Sequence, residues 1–238
     1  YAPYFGIGRS MVHSFTHPLN IEALTQLQEW LAVAPRRMAI TNYGLGFAPG
    51  WDAVAENLKW FAAQEIRAIR LLGSPTCFRP LFDYMMARLM WNPQLDGEAL
   101  KAEFVAAAYG AAAEPVMGHL ARLRERLRHG YPKMVYEDSM PPDFYGVDFV
   151  RGSLRDFDRA LAAAGDDKAV RDRIANEKEL FLADYRIAVN LATDGVSGRG
   201  IMRPAPTPEQ RQQALGCFKD YLRDRIVRLR AAEPNGAA

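Results

Sequence analysis

Where strands and helices alternate along a chain, side chains that do chemistry collect at the carboxyl ends of the strands and in the loops beyond them. Three such places can be read here. Arg9, His13 and His17 lie at and beyond "YFGIGRSMVH", Asn42 and Tyr43 close "RRMAITNY", and Arg70, Ser74 and Cys77 surround "IRAIRLL". These are hydrogen-bonding and partly aromatic groups, suited to a hydroxyl-rich ligand. The binding set expected from them is His13, Asn42, Tyr43 and Arg70, the arginine being suited to a carboxylate because its planar fork binds one in a bidentate manner. Plainer roles compete: His13 and His17 can satisfy loop carbonyls, Tyr43 can pair its hydroxyl with backbone, and Trp51 and Trp60 can be core.

The carboxylates are placed differently. Glycoside hydrolysis needs two of them about 5 to 9 Å apart across the scissile bond, and none of the three strand ends carries one. Glu22, Glu29, Asp52 and Glu56 fall on helices, Glu65 precedes the third strand and Asp83 lies a turn into a helix. Catalytic residues therefore stay unassigned. No GxSxG elbow, P-loop, GxGxxG turn between strand and helix, or HExxH helix occurs. Cys77 and Cys217 have no CxxC or Cys/His spacing, so neither a metal site nor a disulfide framework is expected, and no cofactor.

Composition is that of a globular protein: 238 residues, 49% hydrophobic, 24% charged, formal net charge +2. That balance argues against nucleic acid or an anionic membrane as partner. The basic run "ARLRERLRHG" reads as a solvated helix face. No run approaches the roughly 18 apolar residues that span a bilayer, and "YAPYFGIGRS" has no signal-peptide pattern. The first residue is Tyr, from which a processed product or a fragment is expected.

The elements that must position these residues follow from hydrophobic spacing. A first strand in "YFGIGRSMVH" leads to a helix with Ile21, Leu24, Leu27 and Leu31 on one face; "RRMAITNY" leads to a helix with Val54, Leu58 and Phe61; "IRAIRLL" is a third strand. Such alternation implies parallel strands with right-handed crossovers, as in open α/β sheets and (β/α) barrels. From about residue 79 the pattern is helical. Leu81, Phe82, Met85, Met86, Leu89 and Met90 form one stripe, and Asn92 before Pro93 ends it near Trp91, which is expected to pack in the corner against the next helix. Asp96 caps that helix, with Leu100, Phe104 and Ala108 inward and a glycine after Tyr109. Helices are also expected over 113–128, 147–164 and 167–191. A capping box at Thr207, Pro208 and Gln210 opens another, with Leu215, Phe218, Leu222, Ile226 and Leu229 inward. Loops of unusual length separate them, at "HGYPKMVYEDSMPPDFYG" and "TDGVSGRGIMRPAP".

Three segments, "NIEALTQLQEWLAVAPRRMAITNYG", "WDAVAENLKWFAAQEIRAIRLLGS" and "YMMARLMWNPQLDGEALKAEFVAAAYGAAAEPVMGHLARL", resemble in order the second half of the bacterial domain of unknown function 4838. The likeness spans residues 5–127, its most specific part being WNP followed by an acidic helix and "YG", which is also similar to the helical region after the barrel in α-glucuronidases. The resemblance implies a (β/α)-barrel relative of glycoside hydrolases. It matches Tyr43 to an aromatic residue ending a barrel strand, and His13 and Asn20 to polar positions after the preceding strand. The chain departs from it at the third strand, where Leu71 stands in place of a glutamate two residues before a glycine, so that strand end has no carboxyl to donate a proton.

The expectation is thus an α/β fold: a partial (β/α) barrel of about three parallel strands over residues 1–78, the C-terminal portion of a barrel whose N-terminal part is missing, followed by an all-helical region over 79–238. An intact three-stranded α/β layer on a helical bundle is the other arrangement. The expected function is the C-terminal part of a glycoside-hydrolase-like protein acting on or binding a polysaccharide-derived carbohydrate, with catalytic carboxylates outside this chain. A non-catalytic carbohydrate-binding or scaffold module is the alternative, and a helical protein-interaction domain a third.

Overall fold

In the computed structural model, which describes residues 2–5, 10–43, 50–66, 68–72, 77–130 and 146–194, three short strands lie side by side in the order β1 (Ala2–Phe5), β2 (Met38–Tyr43), β3 (Ala68–Leu72). Both pairings are parallel, with Ile40 opposite Tyr4 on one side and Ile69 on the other. The crossovers are α1 (Ile21–Val33) and α2 (Trp51–Ala63). Met38 and Ile40 are buried and Ile69 packs against the core. The opposite face of β2 and β3 carries Ala39, Thr41, Ala68 and Arg70, of which Arg70 is exposed.

This corrects the barrel expectation. The sheet is open, with β1 and β3 at its edges among the described residues. Closure requires strong strand tilt and roughly eight strands to enclose an interior that side chains can fill, and three strands cannot supply it. Nor does that opposite face resemble a filled barrel interior: beside the buried Thr41 it carries two alanines and an exposed arginine where bulky branched residues would fill one. The strand alternation is compatible with both architectures, and the open layer is the one adopted.

The remainder is helical: α3 (Arg79–Trp91), α4 (Gly97–Tyr109), α5 (Ala113–Gly130), α6 (Val147–Ala163) and α7 (Lys168–Asp194). Leu81, Phe82, Met85, Met86 and Leu89 form the buried stripe of α3. Asp96 caps α4 by accepting from the backbone N–H of Glu98 (2.8 Å) and Ala99 (3.3 Å). The buried face of α4 runs through Leu100, Lys101, Val105 and Tyr109, and the expected Phe104 and Ala108 are half-buried beside it, packed against the core. In α7, Val170, Ile174, Glu177, Phe181 and Tyr185 recur at three- and four-residue spacing and are buried.

Trp91 overturns its corner-packing role. It is 92% exposed at the end of α3, and the turn to α4 is closed by Leu95, which packs against the core. Of the loops and helix expected beyond these elements, 131–145, 195–206 and the segment opened by Thr207 lie outside the described residues, as does Cys217.

Candidate functional site

Residues 10–17 form neither strand nor helix, so their backbone groups need other partners. Asn20 supplies them. Its Oδ1 accepts from the Ser10 N–H (2.6 Å), and its Nδ2 donates to the carbonyls of Ser10 (3.0 Å), His13 (3.2 Å) and Ser14 (2.7 Å). A second asparagine, Asn57 on α2, accepts from the Phe15 N–H at 2.7 Å. Both are buried. At the start of α2 the loop backbone comes so near that a Cβ on Gly50 would collide with the Met11 carbonyl oxygen. Phe15, 1% exposed, is the apolar anchor, packed edge-on against Phe61 at 5.3 Å between centroids.

Held in this way, the segment presents His13 and His17 with ring centroids 4.1 Å apart. His17 Nδ1 accepts from the Leu19 N–H (3.2 Å), so in the neutral ring the proton sits on Nε2, a donor. His13 Nδ1 pairs with the Ser10 hydroxyl at 2.9 Å. Ser10 is 0% exposed, so no substrate reaches that hydroxyl and the pair is not set up for nucleophilic attack. The two histidines, with Val12, Ser14, Ala53, Glu56 and Arg128, line a cleft of ≈ 350 Å³ between the loop, α2 and the end of α5.

One wall of the cleft rests on a network of charges. Asp52 meets Lys101 (3.4 Å), Arg124 (2.8 Å) and Arg128 (3.2 Å), while Glu98 meets Lys101 (2.7 Å) and Arg124. Lys101 is 3% exposed, and a buried ammonium is tolerated only when paired in this manner. Burial pushes the Asp52 carboxyl up, but Lys101, a hydrogen bond with Glu98, and the Arg124 and Arg128 cations outweigh it and hold the carboxyl below its ordinary range. Arg124 and Arg128 belong to the run expected to be a solvated face. Their four-residue spacing puts them on one side of α5, where both pair with Asp52 while remaining 32% and 42% exposed.

Of the expected binding set, His13 lines the cleft. Arg70 sits on β3 opposite Thr41, exposed and outside the cleft lining. Asn42 and Tyr43 are on β2, opposite Leu71 and Leu72, and their side chains lie outside the described residues, as do Arg9 and Ser74. Cys77 is buried, and so is Trp51. Glu56, Arg128 and the clamp at Asn57 were not singled out from the sequence.

A second group of polar side chains is sealed inside the helical region. His119 on α5 touches Phe157 (4.5 Å), Phe181 (5.6 Å) and Phe78 (5.7 Å). Among the described residues neither of its ring nitrogens, nor the Ser153 hydroxyl, has a hydrogen-bond partner. Burial pushes the imidazole down to about 4. Glu177 accepts from the N–H of Phe78 at 2.6 Å, and Phe78 is in left-handed backbone (φ 52°) at the start of α3. Burial pushes that carboxyl up to about 7 against the Phe78 bond. Burial, with Glu177 adding to it, also raises the Tyr109 hydroxyl.

Residues 4–121 match the model of a family described as Domain of unknown function (DUF4838), a little under half of the chain. No curated protein and no solved structure matches. The match falls on residues 4–121, the N-terminal part of this chain and not a C-terminal half, which corrects that resemblance, and with no barrel among the described residues the expected N-terminal barrel portion is not carried further. The glycoside-hydrolase-like function and its carbohydrate-binding alternative fall with the barrel. The sheet is open, no group of three or more His, Cys, Asp or Glu able to hold a metal occurs among the described residues, and the matched family's own function is undescribed. Among the described residues no helix is long and apolar enough to cross a membrane.

Proposed function

We propose that this chain is a ligand-binding module whose site is the cleft between residues 12–17, α2 and α5, and that it takes a small polar molecule. The observation that carries this reading is the use of Asn20 and Asn57 on one short segment: five hydrogen bonds to its backbone, four of them buried, hold His13 and His17 in a cleft that Glu56 and Arg128 also line. Buried side-chain amides used so on an irregular segment fix the geometry of what it displays. Its volume is at the lower end of ligand pockets. Asn42, Tyr43 and Arg70 are kept with His13 as binding candidates, on the parallel strands β2 and β3. The division into an α/β part over 1–78 and a helical part over 79–238 is retained with it, the second part supplying Arg128.

The test is titration of the whole chain, with histidine side chains labelled for NMR, against glycerol, acetate, ethylammonium and a free amino acid. Saturable shifts of the His13 and His17 rings, lost in Asn20→Ala, are expected. If no probe moves either ring, the cleft is not a site.

A second reading, a protein-interaction module, is favoured by the exposure of Trp91 and Met90 beside a groove lined by Leu58, Ala62, Ile66, Ile69, Leu89 and Pro93. It predicts concentration-dependent self-association in sedimentation that Trp91→Ser removes; a single monomeric species at all concentrations counts against it.

A further inference from the structure

The charges of the cleft narrow the ligand class, an inference that rests on the cleft being a binding site. Arg128 and Glu56 both line it, yet no ion pair within 4.0 Å joins them. Two opposite charges on mobile side chains, sharing one small cleft, ordinarily close on each other when nothing prevents it. Here Arg128 is held back: its Nη2 is bound to Asp52 Oδ2 at 3.2 Å, and Asp52 is itself fixed by Lys101 and Arg124. An Arg guanidinium has five N–H donors, and among the described residues this one meets a single carboxylate. Glu56, exposed on α2, has neither a hydrogen bond nor an ion pair among the described residues.

The cleft therefore offers a cationic donor group and an anionic acceptor that do not neutralise each other. The His17 Nε2–H adds a further donor. Between them, Val12 and Ala53 supply a small apolar lining. We infer that the cleft binds a molecule carrying both an ammonium and a carboxylate, with a small apolar side chain, as a free α-amino acid or a short peptide does. Arg128 would take the carboxylate through its unused N–H groups. Glu56 would take the ammonium, and the side chain would lie over Val12 and Ala53. A simple anion leaves Glu56 unanswered and repelled, and a simple cation does the same to Arg128, so each should bind more weakly than a molecule with both charges.

Calorimetry on the full chain with L-valine, N-acetyl-L-valine, L-valinamide and L-valyl-L-alanine tests this, with NMR of the His17 ring reporting whether a probe enters the cleft. The expected result is that L-valine or the dipeptide binds at least tenfold more tightly than either blocked valine, and which of the two binds better tells a free amino acid from a peptide. Glu56→Gln should abolish the preference over the acetylated form, and Arg128→Gln the preference over the amide, with circular dichroism checking that each variant is folded. Equal binding of free and blocked forms, or no binding of L-valine and the dipeptide, overturns the inference. If the blocked forms or glycerol still shift the His17 ring, the cleft remains a binding site and only the ligand class is wrong. If no probe shifts that ring, both fall.

Discussion

Two regions treat buried polar groups in opposite ways. Around residues 10–15, Asn20 and Asn57 are buried and bonded to backbone groups that have no strand or helix to satisfy them. In the helical core, His119 and Ser153 are as deeply buried with no hydrogen-bond partner among the described residues. A buried polar group whose bonds are made contributes modestly in net terms, but its partners lose heavily when it is removed; an unbonded one only weakens the core. The first arrangement fixes a geometry, and the second leaves a histidine whose loss the fold would not miss.

The largest expected effect is on the loop. Asn20→Ala strands one buried N–H and three carbonyls, and should lower stability by about 3–4 kcal/mol, seen as a reduced urea midpoint at unchanged slope. A change below 1 kcal/mol would mean that the loop holds its shape without the clamp.

The next effect is a pair of opposing pH slopes in the helical core. Glu177 has its folded value raised to about 7 from an ordinary 4.5. Its proton is held more tightly in the folded state, so its contribution is full below about pH 4.5 and lost as pH rises through 7. His119 is depressed to about 4 from 6.5. Its contribution is full above about pH 6.5 and lost as pH falls through 4. Between pH 4.5 and 6.5 the two slopes oppose each other, which should leave the native protein nearly flat there. Glu177→Gln removes one of them, and stability should then fall by roughly 2–3 kcal/mol on acidification across that window. Denaturation at a series of pH values measures it, and an unchanged profile would show that Glu177 is ionised as usual.

Smaller still, His119→Met fills the same aromatic nest without unpaired nitrogens and should leave stability unchanged or raise it by about 1 kcal/mol; the thermal midpoint checks this. A loss above 2 kcal/mol would mean that His119 is bonded after all, and the contrast with Asn20 would disappear. Smallest is Trp91→Ala, which should stay within about 0.5 kcal/mol of the native protein by urea denaturation because the indole is almost wholly exposed.

Much of this was legible before any coordinates. Strand alternation gave β2, β3 and the crossover helices, periodicity gave the stripe of α3, and Asp96 was readable as a cap because capping is a contact between near neighbours in the chain. His13 was found by looking beyond a strand end. Asn20 was noticed only as a polar position matched to a family, and its role as a clamp appears only once the loop folds back over it. Glu56 and Arg128 read as ordinary helix residues, since a charge on a solvent face and one on a cleft wall have the same local sequence. Trp91 failed in the other direction: its type argued for burial, and the turn was closed by Leu95 instead.

The sequence by itself determined the local order of helices and of β2 and β3, and which residue types follow a strand, whereas the first strand, expected within residues 4–13, is Ala2–Phe5 with residues 10–13 irregular. Hydrogen bonding and side-chain periodicity act over a few residues, so these are fixed locally. Only the tertiary structure decided that the sheet stays open, that Asp52 meets Arg124, 72 residues further along the chain, and that Glu56 shares a cleft with Arg128 without closing on it. Those are contacts between distant segments, set by how the helices pack, and no spacing along the chain encodes them.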